Sequence, residues 1–239
     1  MPAFTGMTNF FMFNNMRFVD PPPDEKTLLS RAMDIAGMTL GDLAASLYIE
    51  VPLCIRNAKG WQGQLFEIAL GATSGNQSKP DFSHLGIELK SIPVQRNGHA
   101  YESTYICTAT LMNDHIQNWH TSRVYQKLAR VLWIPILAEL NTDIAKRRIG
   151  MPMLWSPNRE EENCLRRDWE ELTELLTLGK LENITAHQGT ALQIRPKAAD
   201  SSIQTTAIDE DGNVIKTSPR GFYLRSSFTT AILQKSYIC

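Results

Sequence analysis

The chain has 239 residues, of which 43% are hydrophobic and 21% charged, enough to bury a sizeable core in one large domain or two lobes and ordinary for a soluble globular protein. Its 24 basic residues face 25 acidic ones. That balance excludes a binder driven by overall charge, so any nucleic-acid surface has to be local.

In chain order, residues 1–23 read as a flexible leader. Phe10-Phe11-Met12-Phe13 lies among asparagines, without the basic start, longer apolar run and small-residue cleavage site of a signal peptide, and Pro21-Pro22-Pro23 closes the stretch. No later run is long and apolar enough to cross a membrane. Four cysteines, Cys54, Cys107, Cys164 and Cys239, show no C-x-x-C spacing, which argues against a zinc site or a disulfide framework. A reducing cytoplasm is the expected compartment.

From Asp24 the pattern is helical, with Leu28, Ala32, Ile35 and Ala36 as an apolar stripe ending at Gly37. Thr39-Leu40-Gly41-Asp42 has capping-box spacing and opens a second helix carrying Leu40, Leu43, Ala44 and Leu47. A third helix is expected from about Gly60 to Leu70. At about 100° per residue, Trp61, Leu65 and Ile68 share one face of it while Gln64 and Glu67 lie opposite. A small-residue loop from Gly71 to Gln77 follows and lacks a P-loop pattern.

From Leu85 to Ile92 apolar and polar residues alternate, the period of a half-buried strand. Glu88 and Lys90 then share one face, and Ile87 and Leu89 point into a core. Asp81, after Pro80, sits where the chain turns into this strand from a neighbouring one. Two carboxylates placed this way can converge on a hard cation such as Mg²⁺, which takes few protein carboxylates and completes its shell with water and phosphate oxygens. The same pattern also suits charge pairing on an exposed strand face.

Beyond a turn at Asn97-Gly98, a strand from Ser103 to Leu111 reads as the second half of a hairpin-like excursion. Thr121 to Arg130 reads as a helix with Lys127 exposed. The apolar run Val131 to Ile136 suits a central strand covered on both faces, and a further strand lies around Met151 to Trp155. Ser156-Pro157 starts a long helix with acids in its first turn and Leu165, Trp169, Leu172 and Leu176 on one side, closed by Gly179. Strands follow at Ile184 to Ala186, Ala191 to Ile194 and Phe222 to Arg225, then a terminal helix from Phe228 to Gln234. Arg123 with Lys127 and Arg130, Lys146-Arg147-Arg148, and the segments holding Arg195, Lys197, Arg220 and Arg225 are the basic clusters.

The spacing Asp81, six residues, Glu88-Leu89-Lys90 resembles the proline-Asp, Asp/Glu-x-Lys signature of restriction-enzyme-like endonucleases. Four more segments widen that likeness: Lys59 to Glu67, Thr121-Ser122 with Lys127 to Pro135, Leu192 to Ala199, and Pro219 to Leu224. Together they resemble the MutH family, the endonucleases of methyl-directed mismatch repair, from about Asp24 to the last few residues. The resemblance implies an α/β fold with a mixed central sheet flanked by helices. It implies one domain over residues 24–237, its two lobes forming a DNA-binding cleft, with catalytic residues mainly within 59–127 and DNA-reading residues mainly within 190–225.

It also implies roles. Asp81 and Glu88 would hold Mg²⁺, Glu67 would hold a second metal ion or orient the attacking water, and Lys90 would complete the catalytic set by stabilising the hydroxide and the developing phosphorane charge. Lys59 and Lys127 would contact DNA phosphates, with poising of the nucleophile as a second role open to Lys127. Tyr105 stands where the family often has Phe near the recognised base pair. Arg195, Pro196 and Lys197 would read GATC, and Tyr223 would sense the adenine methyl group. The implied activity is Mg²⁺-dependent nicking of the unmethylated strand of hemimethylated GATC in double-stranded DNA, by a monomer activated by MutL. Two alternatives stand beside it: a GATC-specific restriction-type enzyme that dimerises and cuts both strands, and a DNA-binding module with a silent nuclease centre.

Overall fold

The computed structural model describes residues 19–52, 58–74, 79–112, 118–139, 142–185, 187–197 and 203–237, except for the side chains of residues 58, 59, 236 and 237. The expected leader therefore lies almost wholly outside the described residues. Helix α1 (Glu25–Asp34) starts on the Asp24 carboxylate, which accepts the Thr27 N–H at 2.7 Å. Helix α2 (Leu40–Ser46) carries the expected Thr39/Asp42 capping box, the two residues satisfying each other's backbone donors.

Helix α3 (Ala58–Leu70) turns a different face inward from the one the period suggests. Leu65, Phe66, Leu70 and Gln62 are buried, whereas Trp61 and Ile68 are only partly covered. The physical reason is a polar contact within the packed face: Gln62 Nε2 donates to Ser91 Oγ at 3.1 Å and turns the helix toward the strand.

Strand β1 (Glu88–Val94) begins three residues later than the alternation suggests, because Phe82 and Ile87 close a tight turn over residues 83–86. Among the described residues it is α3, not a neighbouring strand, that precedes this turn. Strand β2 (Thr104–Thr108), helix α4 (Arg123–Leu128) and strand β3 (Val131–Leu137) follow. β1 and β3 pair in parallel from Glu88↔Val131 to Val94↔Leu137. β4 (Arg148–Ile149) and β5 (Met153–Trp155) pair antiparallel with β3, so the sheet is mixed.

Helix α5 (Arg159–Thr177) is capped by Asn158 and buries Leu165, Trp169, Leu172 and Leu176, as its periodicity requires. Residues 181–183 form a single 3₁₀ turn, and Ile184 and Thr185 carry no strand; Ala186 lies outside the described residues. β6 (Leu192–Pro196), β7 (Thr205–Ile208), β8 (Val214–Thr217), β9 (Arg220–Leu224) and α6 (Ser226–Tyr237) complete the chain.

The β2 strand does not form a hairpin with β1. It joins a second sheet, ordered β2-β9-β6, all antiparallel. The turn at Asn97-Gly98 does end β1, but only a single bridge, Val94 to Ala100, links its two sides. β7 and β8 form a separate hairpin that the apolar pattern does not announce, since nearly all of its residues are at most half-buried.

β3 is buried on both faces. Leu132, Ile134 and Ile136 pack with α1, α2 and α3, and Val131 and Trp133 pack with α5 and the second sheet. On β1, Leu89 joins the first cluster and Ile92 and Val94 the second. Glu88 and Lys90 share the face of Ile92 and so look toward the second sheet. No helix among the described residues is long and apolar enough to cross a membrane.

Candidate active site

A pocket of about 530 Å³ opens where the two sheets approach. Glu67, Asp81, Glu88 and Lys90 line one side, and Thr104, Tyr105 and Tyr223 line the other. Three elements deliver the acids. Asp81 is fixed by its loop, whose backbone is held by the Thr73 N–H and Ser74 N–H to Asp81 O (3.1 and 3.3 Å) and by Ser74 Oγ to Pro80 O at 2.6 Å. Its Oδ2 accepts the Leu89 N–H at 2.8 Å, clamping the loop to the start of β1.

Glu88, 2% exposed, stands between two ammonium groups. Lys90 Nζ donates to its Oε1 at 2.5 Å and Lys127 Nζ to its Oε2 at 2.8 Å. Lys127 also donates to Lys79 O at 2.8 Å. The expectation of an exposed Lys127 is thereby corrected, for the residue is only 8% exposed. The sequence held a signal for this: Val124, Lys127 and Leu128 form one i, i+3, i+4 stripe, so Lys127 lies on the buried face of α4. Buried there, an ammonium needs a carboxylate, and Glu88 supplies it.

Burial raises the Asp81 carboxyl above its ordinary range, and Glu88 pushes it the same way; the Leu89 N–H and the two lysines oppose them. Glu67 is raised by burial first, then by Asp81 and Glu88. Three carboxylates thus share a space with two ammonium groups, and the site is short of positive charge. Oxygen donors with excess negative charge fit a hard divalent cation. Among the described residues, however, no three His, Cys, Asp or Glu side chains are gathered closely enough to hold a metal ion together. Glu67 stands beside Asp81 and Glu88 and does not complete a trio of ligands with them.

The reading candidates gather on the outer face of the second sheet. The rings of Tyr105 and Tyr223 meet edge to face, with centroids 5.3 Å apart. Arg195 lies over Tyr223, its Cζ 5.9 Å from the ring centre, and Lys197 lies over Tyr105, its Nζ at 4.6 Å. Pro196 ends β6, an edge strand, where a missing N–H costs no ladder bond. Lys59 lies in the first turn of α3, and its side chain is outside the described residues. Cys107 and Cys164 are free thiols, and burial pushes the Cys107 thiol up to about 11.

The fold and pocket define a class: an α/β protein that presents a buried acid and lysine cluster beside an aromatic face carrying cations. The sequence profile of the family described as "DNA mismatch repair enzyme MutH" matches residues 70–168. The chain is 50% identical over 217 residues to the DNA mismatch repair protein MutH of Serratia proteamaculans, covering 91% of this chain and 95% of the relative. It is 48% identical over 218 residues to the proteins of that name from Photorhabdus laumondii and Yersinia enterocolitica, covering 91% of this chain and 96% of each relative. The chain belongs to the MutH family of DNA mismatch repair enzymes.

Proposed function

We propose that this protein is a Mg²⁺-dependent endonuclease that nicks the unmethylated strand of hemimethylated GATC sites, acting as a monomer activated by MutL. One observation supports the cutting chemistry above all: Glu88 is held by two lysines at the floor of a pocket that also contains Asp81 and Glu67. A solvated pair on a strand face would need none of that burial. On this reading a duplex lies across the pocket, between the acids on one side and the tyrosine face on the other.

Asp81 and Glu88 would hold Mg²⁺, which when bound polarises the phosphate and lowers the pKa of water. Lys90 uses one of its three N–H donors on Glu88 and offers the others to the attacking hydroxide and to the charge that develops on the phosphate oxygens. Glu67, its carboxyl pushed up first by burial and then by Asp81 and Glu88, orients the attacking water. Lys127 holds Glu88 in place from behind, a positioning role that replaces the phosphate contact expected of an exposed lysine. Arg195, Pro196, Lys197 and Tyr105 read the site, and Tyr223 senses the adenine methyl group. Lys59 contacts a phosphate. The protein works in the cytoplasm.

The test uses the pure protein and a plasmid with a single GATC site in unmethylated, hemimethylated or fully methylated form. Slow nicking of the first two with Mg²⁺, lost on chelation and quickened by MutL, supports the proposal. Rapid linearisation would instead show a restriction-type enzyme, and no cleavage even with MutL a silent module.

A further inference from the structure

The outer face of the second sheet holds a contact that neither residue spacing nor the family likeness assigns. Across β2 and β9 the register runs Tyr105↔Tyr223 and then Cys107↔Phe222. β2 advances two residues while β9 advances one, so Ile106 is the extra residue of a β-bulge. In a regular strand residues three apart point to opposite faces. The bulge cancels that rule here. Cys107, Phe222 and Ile194 align across the three strands and are all buried. The next row, Thr108, Gly221 and Arg195, faces outward with Tyr105 and Tyr223.

Thr108 therefore meets the reading residues. Lys197 Nζ donates to Thr108 Oγ1 at 3.0 Å, and the Tyr105 hydroxyl shares a hydrogen bond with the same oxygen at 2.9 Å. The Tyr105 hydroxyl, absent where the family has Phe, thus has a partner. The ring of Tyr105 lies close over Gly221, where an added Cβ would come within 2.9 Å of Tyr105 Cε2 and 3.3 Å of Tyr223 Cε2. Only a residue without a side chain leaves both rings where they are.

We propose that Thr108 is a positioning residue for sequence recognition: its hydroxyl, brought outward by the bulge at Ile106, fixes the Lys197 ammonium against the Tyr105 ring before DNA arrives. This rests on the reading of that face as the GATC-reading surface. A lysine on its four-carbon stem otherwise samples many rotamers. Held in one of them, it loses less freedom on binding, which favours the cognate site over others.

Thr108→Val keeps the shape and β-branching and removes the hydroxyl; Thr108→Ser keeps the hydroxyl. Affinity for a GATC duplex and for a scrambled duplex is measured by fluorescence anisotropy, and nicking kinetics on the single-site plasmid are measured alongside. Thr108→Val should lower the ratio of the two affinities by about 5- to 10-fold, the scale of one hydrogen bond. It should raise KM with kcat little changed, and Thr108→Ser should restore the wild-type values. Because Thr108 is exposed, the melting temperature should not move.

An unchanged ratio in Thr108→Val, a serine variant as impaired as the valine one, or a loss confined to kcat would each overturn the proposal. If the wild type itself shows no preference for GATC, the reading of the whole face falls. That failure is visible in the wild-type arm before any variant is compared.

Discussion

On the β1 and β3 sheet the charges are buried and answer one another. Glu88 is 2% exposed and meets two lysines, while Asp81 is 7% exposed and accepts a backbone N–H. On the β2, β9 and β6 sheet Arg195 and Lys197 are exposed and lie over tyrosine rings. Charges removed from water interact strongly and stay where they are put. A cation over an exposed ring is held by about 0.5–1 kcal/mol and can exchange that partner for a ligand. One sheet is built to hold charge fixed and the other to give it away, which suits bond cleavage on the first and recognition on the second.

The largest effect expected is at the fixed side. Asp81→Ala and Lys90→Ala should each reduce nicking by about 10³-fold or more, since each removes a group proposed to act on the charge of the reacting phosphate. Circular dichroism should show the fold intact, and DNA affinity should remain in large part because the reading face is untouched. Metal-dependent nicking retained in both variants would break the proposed division between the sheets.

Next is a test of what stiffens the open side. Asp168 on α5 is 1% exposed, and its Oδ2 accepts the N–H groups of Thr190, Ala191 and Leu192 at 2.7, 2.6 and 2.9 Å. Those residues lead into β6, which carries Arg195 and Pro196. Asp168→Ala would strand buried donors and should destabilise the protein by about 3 kcal/mol, measured by urea unfolding. A loss below about 1 kcal/mol would mean that water replaces the carboxylate and that the reading sheet is held by its outer contacts instead.

Two lysines sharpen the comparison further. Each phosphate contact made by a lysine contributes about 0.9 to the slope of log affinity against log salt on duplex DNA. Lys197→Ala should lower that slope by about one contact's worth. Lys127→Ala should leave the slope unchanged while slowing nicking, because its ammonium is spent on Glu88 and Lys79 O. Equal slope changes in both variants would return Lys127 to the role of a phosphate contact.

Much of the scaffold was legible in the sequence because its signals are local. The capping box at Thr39, the apolar stripes of α1 and α5 and the doubly apolar β3 each depend on neighbours a few residues away. Asp81, Glu88 and Lys90 were legible as a motif, and the structure gathers them with Glu67 around one pocket. What did not show was pairing over long separations. Nothing near β2 says that its partner is β9, more than 100 residues later, so a hairpin with β1 was the natural expectation. The bulge that turns Thr108 outward is likewise a property of two strands together. Lys127 is a middle case: its stripe was readable, but a lysine on an apolar stripe signals burial only when the opposing carboxylate is known.

The smallest effect concerns Tyr223, whose ring and hydroxyl separate cleanly. The ring packs edge to face on Tyr105 and under Arg195, contacts that Tyr223→Phe preserves. Burial, then the neighbouring Tyr105, pushes the phenol above its ordinary pKa, so it stays protonated at neutral pH and can still donate. Removing one neutral hydrogen-bonding group costs about 1 kcal/mol, or roughly 5-fold. If that hydroxyl senses the methyl group, the loss should fall on discrimination between methylated and unmethylated GATC, while the nicking rate on unmethylated plasmid changes less. Equal losses in both would mean that Tyr223 contributes through its ring alone, as part of the surface that Tyr105 and Arg195 complete.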